Sequence, residues 1–238
     1  MSVAIVTGAS RGLGEALAIG LARSGWSLVI DGRSTGSLQE VAATLEGARA
    51  PGATVRAIPG DITDARHRAA LVDAARSLGG LQLLVNNAGI LGPSPLPPVA
   101  DYPLPELRVV LEVNVVAPIG LVQAALPLLR QSTNPRVLNI TSDAAVEAYE
   151  GWGGYGAGKA ALDHFGAVLA AEEPAIRVWS VDPGDLRTQM HQEAFPGEDI
   201  SDRPEPGTVV PAFLQLIGSR RESGRYRAGE LLAAEAVR

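Results

Sequence analysis

The chain has 238 residues, of which 46% are hydrophobic and 19% are charged, and its formal net charge is −6. A chain of this length and composition can bury one large core, so we expect a single α/β domain over residues 1–238. The lack of cysteine excludes disulfides, thiolate metal sites and a cysteine nucleophile. The negative charge, without any basic run, argues against a nucleic-acid or anionic-membrane surface.

Patterns typical of secretion, membrane insertion or metal binding are missing from the sequence. The N-terminal segment MSVAIVTGAS has no basic region, so we expect a cytoplasmic protein. The most apolar stretch, residues 115–129, is too short to span a bilayer and contains two prolines and a glycine. The histidines are too far apart in sequence to form a ligand-spaced pair, so we expect no metal site. They are His67, His164 and His191.

Six short apolar runs predict β-strands, and the segments between most of them have helical periodicity. This alternation is typical of βαβ units and a parallel sheet, and the weak polar alternation within the runs favours helices on both faces. A plausible last strand near the C-terminus brings the expected doubly wound sheet to about seven strands. The six runs are residues 3–7, 27–30, 54–58, 81–86, 136–141 and 177–182.

Two helices can be bounded from the sequence, over residues 15–25 and, after the capping residue Asp64, over residues 65–78. Two other stretches break the rhythm. Residues 91–105 contain six prolines and predict a stiff loop, and residues 185–207 predict an irregular excursion. Ligands of open parallel sheets bind beyond the carboxyl ends of the strands, so we expect residues 185–207 to form a substrate loop or lid.

The first predicted strand leads into TGASRGLG, residues 7–14, with glycines at positions 8, 12 and 14. Glycines at a strand-to-helix junction allow a tight turn and the close approach of a pyrophosphate, which the N-terminus of the following helix stabilises. This position predicts dinucleotide binding. The alternative is an ordinary glycine-rich turn.

Further motifs follow in a fixed order along the chain. With the TGxxxGxG spacing of residues 7–14, they make the chain resemble the short-chain dehydrogenase/reductase family over residues 3 to about 190. The resemblance implies a single-domain Rossmann fold and an oxidoreductase that moves a hydride between a nicotinamide and a carbonyl or secondary alcohol. The further motifs are NNAG at 86–89, Asn114, Ser142, YGAGK at 155–159, and PG at 183–184 followed by Thr188.

The resemblance also implies which residues bind the dinucleotide. The segment near Pro183 would hold the nicotinamide carboxamide, and Asp61 with Ile62 would hold the adenine, although a turn aspartate is the plain alternative. The expected cofactor-binding residues are Gly8, Ser10, Arg11, Gly12, Leu13, Gly14, Arg33, Asp61, Ile62, Asn87, Ala88, Gly89, Tyr155, Lys159, Pro183, Gly184, Leu186 and Thr188.

The end of the second strand bears on the choice of nicotinamide cofactor. Relatives that use NAD have an acidic residue there, whereas counting from Gly8 puts Gly32 at this position, followed by Arg33. Guanidinium groups from Arg33 and Arg11 suit a ribose 2′-phosphate, so we expect NADP(H) rather than NAD(H). A shift of one residue would instead put Asp31 on the ribose, and the arginines would then be surface charges.

Tyr155 and Lys159 lie four residues apart in a predicted helix, so both side chains leave the same face. Lys159 is the only lysine, and the other 19 basic residues are arginines. A nearby ammonium and an oxidised nicotinamide stabilise the phenolate, so we expect the pKa of Tyr155 to lie below the usual phenol value near 10, which favours proton transfer. The resemblance implies four catalytic residues: Tyr155 exchanges the proton, Lys159 supports it, Ser142 binds the substrate oxygen, and Asn114 holds a water that links Lys159 to solvent.

Other features leave alternatives open. Small residues at 156, 157, 160 and 161 fit tight packing in a homodimer or homotetramer, and the C-terminal tail lacks the family's usual ending. Candidate pocket residues for a small carbonyl or alcohol substrate could equally be ordinary loop packing. A non-catalytic NADP(H)-binding sensor or partner-binding module, and an epimerase or dehydratase, are the rival functions. The candidate pocket residues are Tyr149, Trp152, Met190, His191 and Phe195.

Overall fold

In the computed structural model, residues 2–236 are described, with side chains through residue 234. Among these residues, seven parallel strands form one sheet in the order β3-β2-β1-β4-β5-β6-β7. This is the doubly wound Rossmann arrangement expected from the alternating pattern. The strands are β1 (Val3–Val6), β2 (Ser27–Gly32), β3 (Val55–Pro59), β4 (Leu83–Asn86), β5 (Arg136–Ile140), β6 (Arg177–Asp182) and β7 (Gly224–Arg227).

Helices cover both faces of the sheet, because successive strand side chains point to opposite sides. Ala4 and Val6 face one core, and Val3 and Ile5 face the other. The helices are α1 (Gly12–Arg23), α2 (Thr35–Ala48), α3 (Ala65–Ser77), α4 (Leu104–Leu111), α5 (Ala117–Arg130), α6 (Gly153–Glu172), α7 (Gln189–Ala194), α8 (Val210–Gly218) and α9 (Ala228–Ala236). Helices α1, α2, α8 and α9 pack on the first core, and α3 and α5 pack on the second.

Strand order reverses between β1 and β4, which are neighbours in the sheet although two strands separate them in sequence. Chains leaving β1 and β4 at their carboxyl ends turn to opposite faces and leave a crevice between them, where open α/β sheets bind ligands. The glycine loop follows β1, and the NNAG segment begins in β4. The fold therefore brings these two motifs to one edge of the sheet.

Helix boundaries differ from the sequence-based expectation in several places. Helix α1 begins three residues earlier than predicted, and Asp64 caps α3 by accepting a 2.8 Å bond from the Arg66 N–H, as expected. The excursion at 185–207 is not wholly irregular, because it contains α7. The doubtful C-terminal tail forms β7 and α9, and Leu231 of α9 is buried.

The apolar stretch at 115–129 belongs to a longer helix than the sequence suggests. Helix α4, a π-helical turn (Glu112–Val116) and α5 join into one helix, Leu104–Arg130, whose length and hydropathy are sufficient to cross a membrane. The argument from short length is therefore wrong. Leu121, Ala125 and Leu129 of this helix are fully buried against the second core. Core helices of globular domains commonly meet the same length and hydropathy criterion, so it is weak support for a span.

Candidate active site

A cleft of about 2160 Å³ runs along the carboxyl ends of the strands. Its walls come from the loops that follow β1 to β6 and from the N-terminal part of α6. All the residues expected to bind the dinucleotide line this cleft, and so do Ser142, Tyr155 and Lys159. Asn114 is the exception among the expected site residues, because it lies behind the wall rather than on it.

The glycine loop has a backbone that only glycine adopts without strain. Gly8 and Gly12 have φ values of 63° and 62°. A Cβ on Gly8 would lie 2.8 Å from the Ala88 Cα, and one on Gly14 would collide with the Gly8 carbonyl. Helix α1 begins at this loop without a side-chain cap, so its first N–H groups are available to an anion in the cleft.

Asp31 is almost fully buried at the edge of the cleft. Its Oδ1 accepts a 2.6 Å bond from the Gly8 N–H, and its Oδ2 lies 3.1 Å from the His67 Nε2. Only 2% of Asp31 is exposed. Both carboxylate oxygens are thus engaged in holding the glycine loop and α3. His67, for which the sequence indicated no role, is the partner that this contact requires.

The one acidic residue at the end of β2, Asp31, borders the cleft with both carboxylate oxygens already engaged. Gly32 is the last residue of the strand, and a Cβ there would lie 2.8 Å from the Ser10 Cβ. Arg33 follows, is exposed and lines the cleft. Arg11 also lines the cleft and donates a hydrogen bond to Gln189 of α7. Arg11 follows Ser10 and Arg33 follows Gly32, so the Ser10–Gly32 approach brings both arginines to the same end of the cleft.

Asp61 lines the cleft beside Arg33, and it also stabilises its own turn. Its Oδ1 accepts 2.9 Å and 2.8 Å bonds from the Thr63 N–H and hydroxyl, and these bonds, followed by the positive charge of Arg33, lower the Asp61 pKa. The turn role considered as the alternative is thus present. Ile62 next to it is 7% exposed and offers an apolar surface.

The NNAG segment is bound to the glycine loop by a set of short polar contacts. Asn87 Nδ2 donates to the Thr7 and Gly8 carbonyls at 2.8 Å and 3.1 Å. Thr7 Oγ1 accepts from the Asn87 and Ala88 N–H groups at 3.0 Å each. These bonds fix the ends of β1 and β4 relative to each other across the reversal point of the sheet.

Tyr155 and Lys159 lie one turn apart on α6 and are 8% and 4% exposed. Lys159 Nζ donates a 2.7 Å bond to the Ile140 carbonyl and lies 5.5 Å from the centre of the Tyr155 ring. Burial lowers the pKa of Lys159 to about 8. Burial, followed by the negative charges of Asp143 and Asp182, raises the pKa of Tyr155 well above its usual value. The expectation that this pKa is lowered is therefore wrong for the protein without cofactor. The ammonium therefore lies beside a phenol that stays protonated at neutral pH.

Ser142 follows β5 and lines the cleft together with Tyr155. Its hydroxyl donates a 2.9 Å bond to Asp143 Oδ1 and accepts a 3.2 Å bond from the Ala144 N–H. Asp143 Oδ2 accepts a 3.0 Å bond from the Tyr149 hydroxyl. The sequence motif did not identify Asp143, whose carboxylate joins the expected catalytic serine to a candidate pocket residue.

Asn114 lies in the π-helical turn and is 1% exposed. Its side chain pairs with the backbone of Ile90, accepting from the N–H at 2.9 Å and donating to the carbonyl at 2.8 Å. A Cβ added to Gly89 would lie 3.2 Å from Asn114 Oδ1 and 3.7 Å from Lys159 Nζ. Asn114 is thus close to Lys159 on the side away from the cleft.

Glycines in α6 permit close packing within the chain. A Cβ on Gly154 would collide with the Tyr102 ring, and one on Gly156 would lie 2.5 Å from the Ala144 carbonyl oxygen. Gly158 packs against Asn114, whose Cβ would be 3.4 Å away from an added Cβ. Gly156 was expected to pack tightly against another subunit. It packs instead within the chain, against the segment that carries Ser142.

The loop after β6 closes over both the glycine loop and the tyrosine. Gly184 has a φ of 76°, and its N–H donates to Asp182 Oδ1 at 2.9 Å. Thr188 caps α7 by accepting from the His191 N–H, and its methyl group would lie 3.7 Å from a Cβ on Gly12. Pro183 and Leu186 line the cleft between these points.

Aromatic side chains form the wall beside Tyr155. The ring of Trp152 lies 5.7 Å from that of Tyr155 and 6.1 Å from that of Phe195, and His191 stacks 4.9 Å from Phe195. Met190 packs on the same small cluster. Among the described residues, no group of three or more histidine or acidic side chains could hold a metal ion.

The comparisons with known proteins decide the family. The family model described as "short chain dehydrogenase" matches residues 2–199. The chain belongs to this family. It is also 32% identical over 227 residues to the uncharacterized oxidoreductase YciK of Escherichia coli, covering 93% of this chain and 89% of that protein.

Two further relatives of this short-chain dehydrogenase carry more specific descriptions. Sepiapterin reductase of Mus musculus is 37% identical over 203 residues, covering 81% of this chain and 77% of that protein. A short chain dehydrogenase from Shigella flexneri, solved in complex with NADP, has a TM-score of 0.89 and 29% identity, covering 96% of this chain and 97% of the other. The chain is accordingly an oxidoreductase of the short-chain dehydrogenase family.

Proposed function

We propose that the protein is an NADP(H)-dependent oxidoreductase that interconverts a ketone or aldehyde and the corresponding alcohol. The observation that carries this proposal is the single cleft that holds the glycine loop at one end and Ser142, Tyr155 and Lys159 at the other. A nucleotide-binding module without chemistry would not require a buried ammonium beside a buried phenol, since burying each group costs stability.

The dinucleotide end of the cleft suits NADP(H). The glycine loop leaves space where side chains would project, and α1 directs free N–H groups at that space. Gly32 offers no carboxylate to a ribose, Asp31 is engaged inside the protein, and Arg33 with Arg11 supplies positive charge for a 2′-phosphate. The Shigella protein complexed with NADP supports the same assignment by similarity.

Other residues would hold the remaining parts of the cofactor. Asp61 and Ile62 would contact the adenine, and the backbone from Asn87 to Gly89 would border the central part of the dinucleotide. Tyr155 and Lys159 would reach the nicotinamide ribose, while Pro183, Gly184, Leu186 and Thr188 would hold the carboxamide. When bound, the nicotinamide supplies or accepts the hydride.

The protein's own residues would bind the substrate oxygen and move its proton. Ser142 would turn its hydroxyl from Asp143 to the carbonyl oxygen, and Tyr155 would donate its proton to that oxygen during reduction. Lys159 would stabilise the resulting phenolate until it is reprotonated. Asn114, close to Lys159 and away from the cleft, would hold a water on the path of that proton.

The raised pKa of Tyr155 in the free protein fits a proton donor for reduction. Burial, and after it the negative charges of Asp143 and Asp182, disfavour the phenolate, so Tyr155 stays protonated until the substrate oxygen takes the proton. In the oxidative direction the same group must first lose its proton. An oxidised, positively charged nicotinamide nearby would assist that loss by stabilising the phenolate.

The aromatic wall supports a substrate of small or medium size that carries an aromatic or other flat apolar group. Trp152 and Phe195 offer ring faces next to the reacting phenol, and Tyr149 lines the same region. We further propose that residues 185–207 form a lid over this region. The Ser94 hydroxyl bonds the Glu193 carbonyl at 2.6 Å and thereby joins the lid to the proline-rich loop.

A homodimer or homotetramer is part of the proposal, with no nucleic acid and no membrane as partner. Exposed apolar side chains on α4, the π turn and α6 support an interface between copies of the chain. These side chains are Leu104, Val109, Val116, Phe165 and Val168. Light scattering of the purified protein measures the oligomeric state directly.

One experiment tests the proposed function first. Purified protein is mixed with a panel of aromatic and aliphatic ketones and aldehydes, with NADPH and NADH in parallel, and absorbance at the reduced nicotinamide band is followed. We expect turnover with NADPH to exceed turnover with NADH. Tight NADPH binding without turnover across the panel would instead favour the sensor or partner-binding module. Conversion of substrate without net release of oxidised cofactor would favour an epimerase or dehydratase.

A further inference from the structure

Arg225 of β7 contacts three segments of the candidate active site from behind. Its Nη2 donates a 2.9 Å bond to the Ser142 carbonyl oxygen, and its Nε donates a 3.2 Å bond to Asp163 Oδ2. The same Nη2 lies 3.6 Å from Asp182 Oδ2. These partners lie 83, 62 and 43 positions before Arg225 in the chain, so only the folded tail brings the guanidinium to them.

Each partner of Arg225 is adjacent to a functional group. Ser142 carries the hydroxyl that faces the cleft, and Asp163 lies one helical turn after Lys159 on α6. Asp182 ends β6, and its Oδ1 holds the Gly184 N–H at the start of the loop proposed to bind the nicotinamide carboxamide. A planar guanidinium holds its donors at fixed, separated positions and so suits three separate partners, whereas the three donors of an ammonium all leave one nitrogen.

We propose that Arg225 is a positioning residue for the oxidoreductase reaction, which fixes the serine, the Tyr155–Lys159 helix and the loop after β6 relative to one another. This inference rests on the proposed function. Arg225 does not line the cleft and would touch neither substrate nor cofactor. Its effect would therefore pass through Ser142, Asp163 and Asp182.

The charges around Arg225 suggest an effect on Lys159 as well. The negative charge of Asp163 raises the pKa of Lys159 against the larger, lowering effect of burial. Arg225 pairs with Asp163 and reduces that field. The other titratable groups close by are Tyr155 on the same helix, and Asp143 and Asp182, which act on Tyr155 from the ends of β5 and β6.

Arg227 provides a matched control on the same strand. It lies two residues further along, its side chain is 47% exposed, and its Nε lies 3.8 Å from Asp182 Oδ2. Arg227→Gln removes the same charge and volume as Arg225→Gln, but it leaves the contacts to Ser142 and Asp163 in place. A general electrostatic effect of the β7 arginines would lower kcat in both variants alike, and a general loss of structure in Arg225→Gln would weaken NADPH binding as well as kcat.

The kinetic test compares Arg225→Gln and Arg227→Gln with NADPH and the best substrate of the carbonyl panel. We expect kcat to fall by about 10- to 100-fold in Arg225→Gln, because small displacements of reacting groups have effects of this size. The Kd for NADPH should change by less than about threefold, and Arg227→Gln should stay near the wild type. Equal kcat values in the two variants would overturn the proposal.

A spectroscopic test uses the lone lysine and needs neither substrate nor cofactor. Protein grown with ¹³Cε-labelled lysine gives one lysine signal, and its titration reports the pKa of Lys159 in the free protein. We expect this pKa to rise in Arg225→Gln, where Asp163 loses its counter-charge, and to fall in Asp163→Asn. Unchanged titrations in both variants would overturn the proposal. Failure of turnover in the wild type would instead contradict the proposed function and leave this measurement intact.

Should Arg225→Gln fail to fold, the kinetic test is made with Arg225→Lys, and the lysine titration is made with Asp163→Asn, which keeps Lys159 as the only lysine. Arg225 uses two separate nitrogens for Ser142 and Asp163, whereas a lysine has one, so we expect a kcat loss of about 3- to 10-fold relative to Arg227→Lys. An Arg225→Lys variant as active as Arg227→Lys would show that charge alone suffices, and the positioning role would be rejected.

Discussion

The ammonium of Lys159 donates its 2.7 Å hydrogen bond to the carbonyl oxygen of Ile140, at the end of β5 and two residues before Ser142. This bond fixes α6 against the strand that carries the serine. It also satisfies one donor of a side chain that is only 4% exposed. Lys159 thus has a structural role, as the link between α6 and β5, in addition to its proposed role in proton transfer.

Replacing Tyr155 with phenylalanine removes the proton donor but keeps the ring that packs against Trp152. We expect turnover to fall by about 10²- to 10⁴-fold, the usual contribution of a positioned general acid, with NADPH binding largely retained. Stopped-flow or steady-state turnover and a fluorescence titration of NADPH measure the two quantities. Turnover within a factor of about two of the wild type would contradict the proton-transfer role.

Lys159→Met should make the protein more stable at neutral pH while abolishing activity. Burial lowers the pKa of Lys159 from 10.5 to about 8, so below pH 8 the folded state contains a costly buried charge. Between about pH 8 and 10.5 the unfolded chain binds more protons than the folded one, and wild-type stability therefore rises with pH in this window.

The difference in Tm between Lys159→Met and the wild type should accordingly be largest near pH 7 and shrink between about pH 8 and 10. Differential scanning calorimetry over this range measures it. An exposed substitution such as Arg23→Met, at the end of α1, is the control for general charge effects. A Tm difference that does not change with pH would mean that burial does not destabilise the ammonium of Lys159 in the folded protein.

Arg33→Ala should weaken NADPH binding far more than NADH binding. A hydrogen bond to a charged group contributes about 1.5–3 kcal/mol, so we expect the NADPH Kd to rise by about 10- to 100-fold. Titrations of both cofactors, with Arg23→Ala as an exposed control, measure the effect. An equal loss for NADPH and NADH would remove the case for a 2′-phosphate contact.

Substrates that carry a carboxylate should be poor relative to their neutral esters. Acidic side chains line the cleft near the aromatic wall, including Asp143, Asp185 and Glu193, and they repel an anion there. We expect the kcat/KM of a neutral aryl ketone to exceed that of its carboxylated analogue, and Asp143→Asn to reduce this difference. The matched control is Glu147→Gln, which is exposed and does not line the cleft. An equal reduction of the kcat/KM difference in Asp143→Asn and Glu147→Gln would contradict a local role of Asp143.

The sequence was sufficient to predict the parallel sheet and the order of its motifs, because βαβ alternation and glycine spacing are local patterns. It could not show that Asp31 turns inward. That orientation depends on His67, which lies 36 residues away and faces Asp31 only after α3 packs on the sheet. The preference for NADP(H) was inferred from Gly32 standing at the end of β2 and did not use the Asp31–His67 contact.

Contacts between distant segments account for the other differences. Asp143 follows Ser142 directly, yet its carboxylate matters because the loop after it returns Tyr149 to hydrogen-bond distance. The apolar stretch at 115–129 was compared with a bilayer on its own, whereas the chain is helical from Leu104 to Arg130. Pro118 is accommodated because it follows the π-helical turn, where the regular hydrogen-bond pattern is already shifted.

The match to the family's shared pattern ends at residue 199, whereas β7 and α9 lie beyond it. Through Arg225, this final stretch contacts the backbone of Ser142 in the candidate active site. Under the proposed function, changes near the carboxyl terminus alter the chemistry while every motif of the family stays in place. Tags, fusions and truncations at that end of the chain are then changes to the candidate active site.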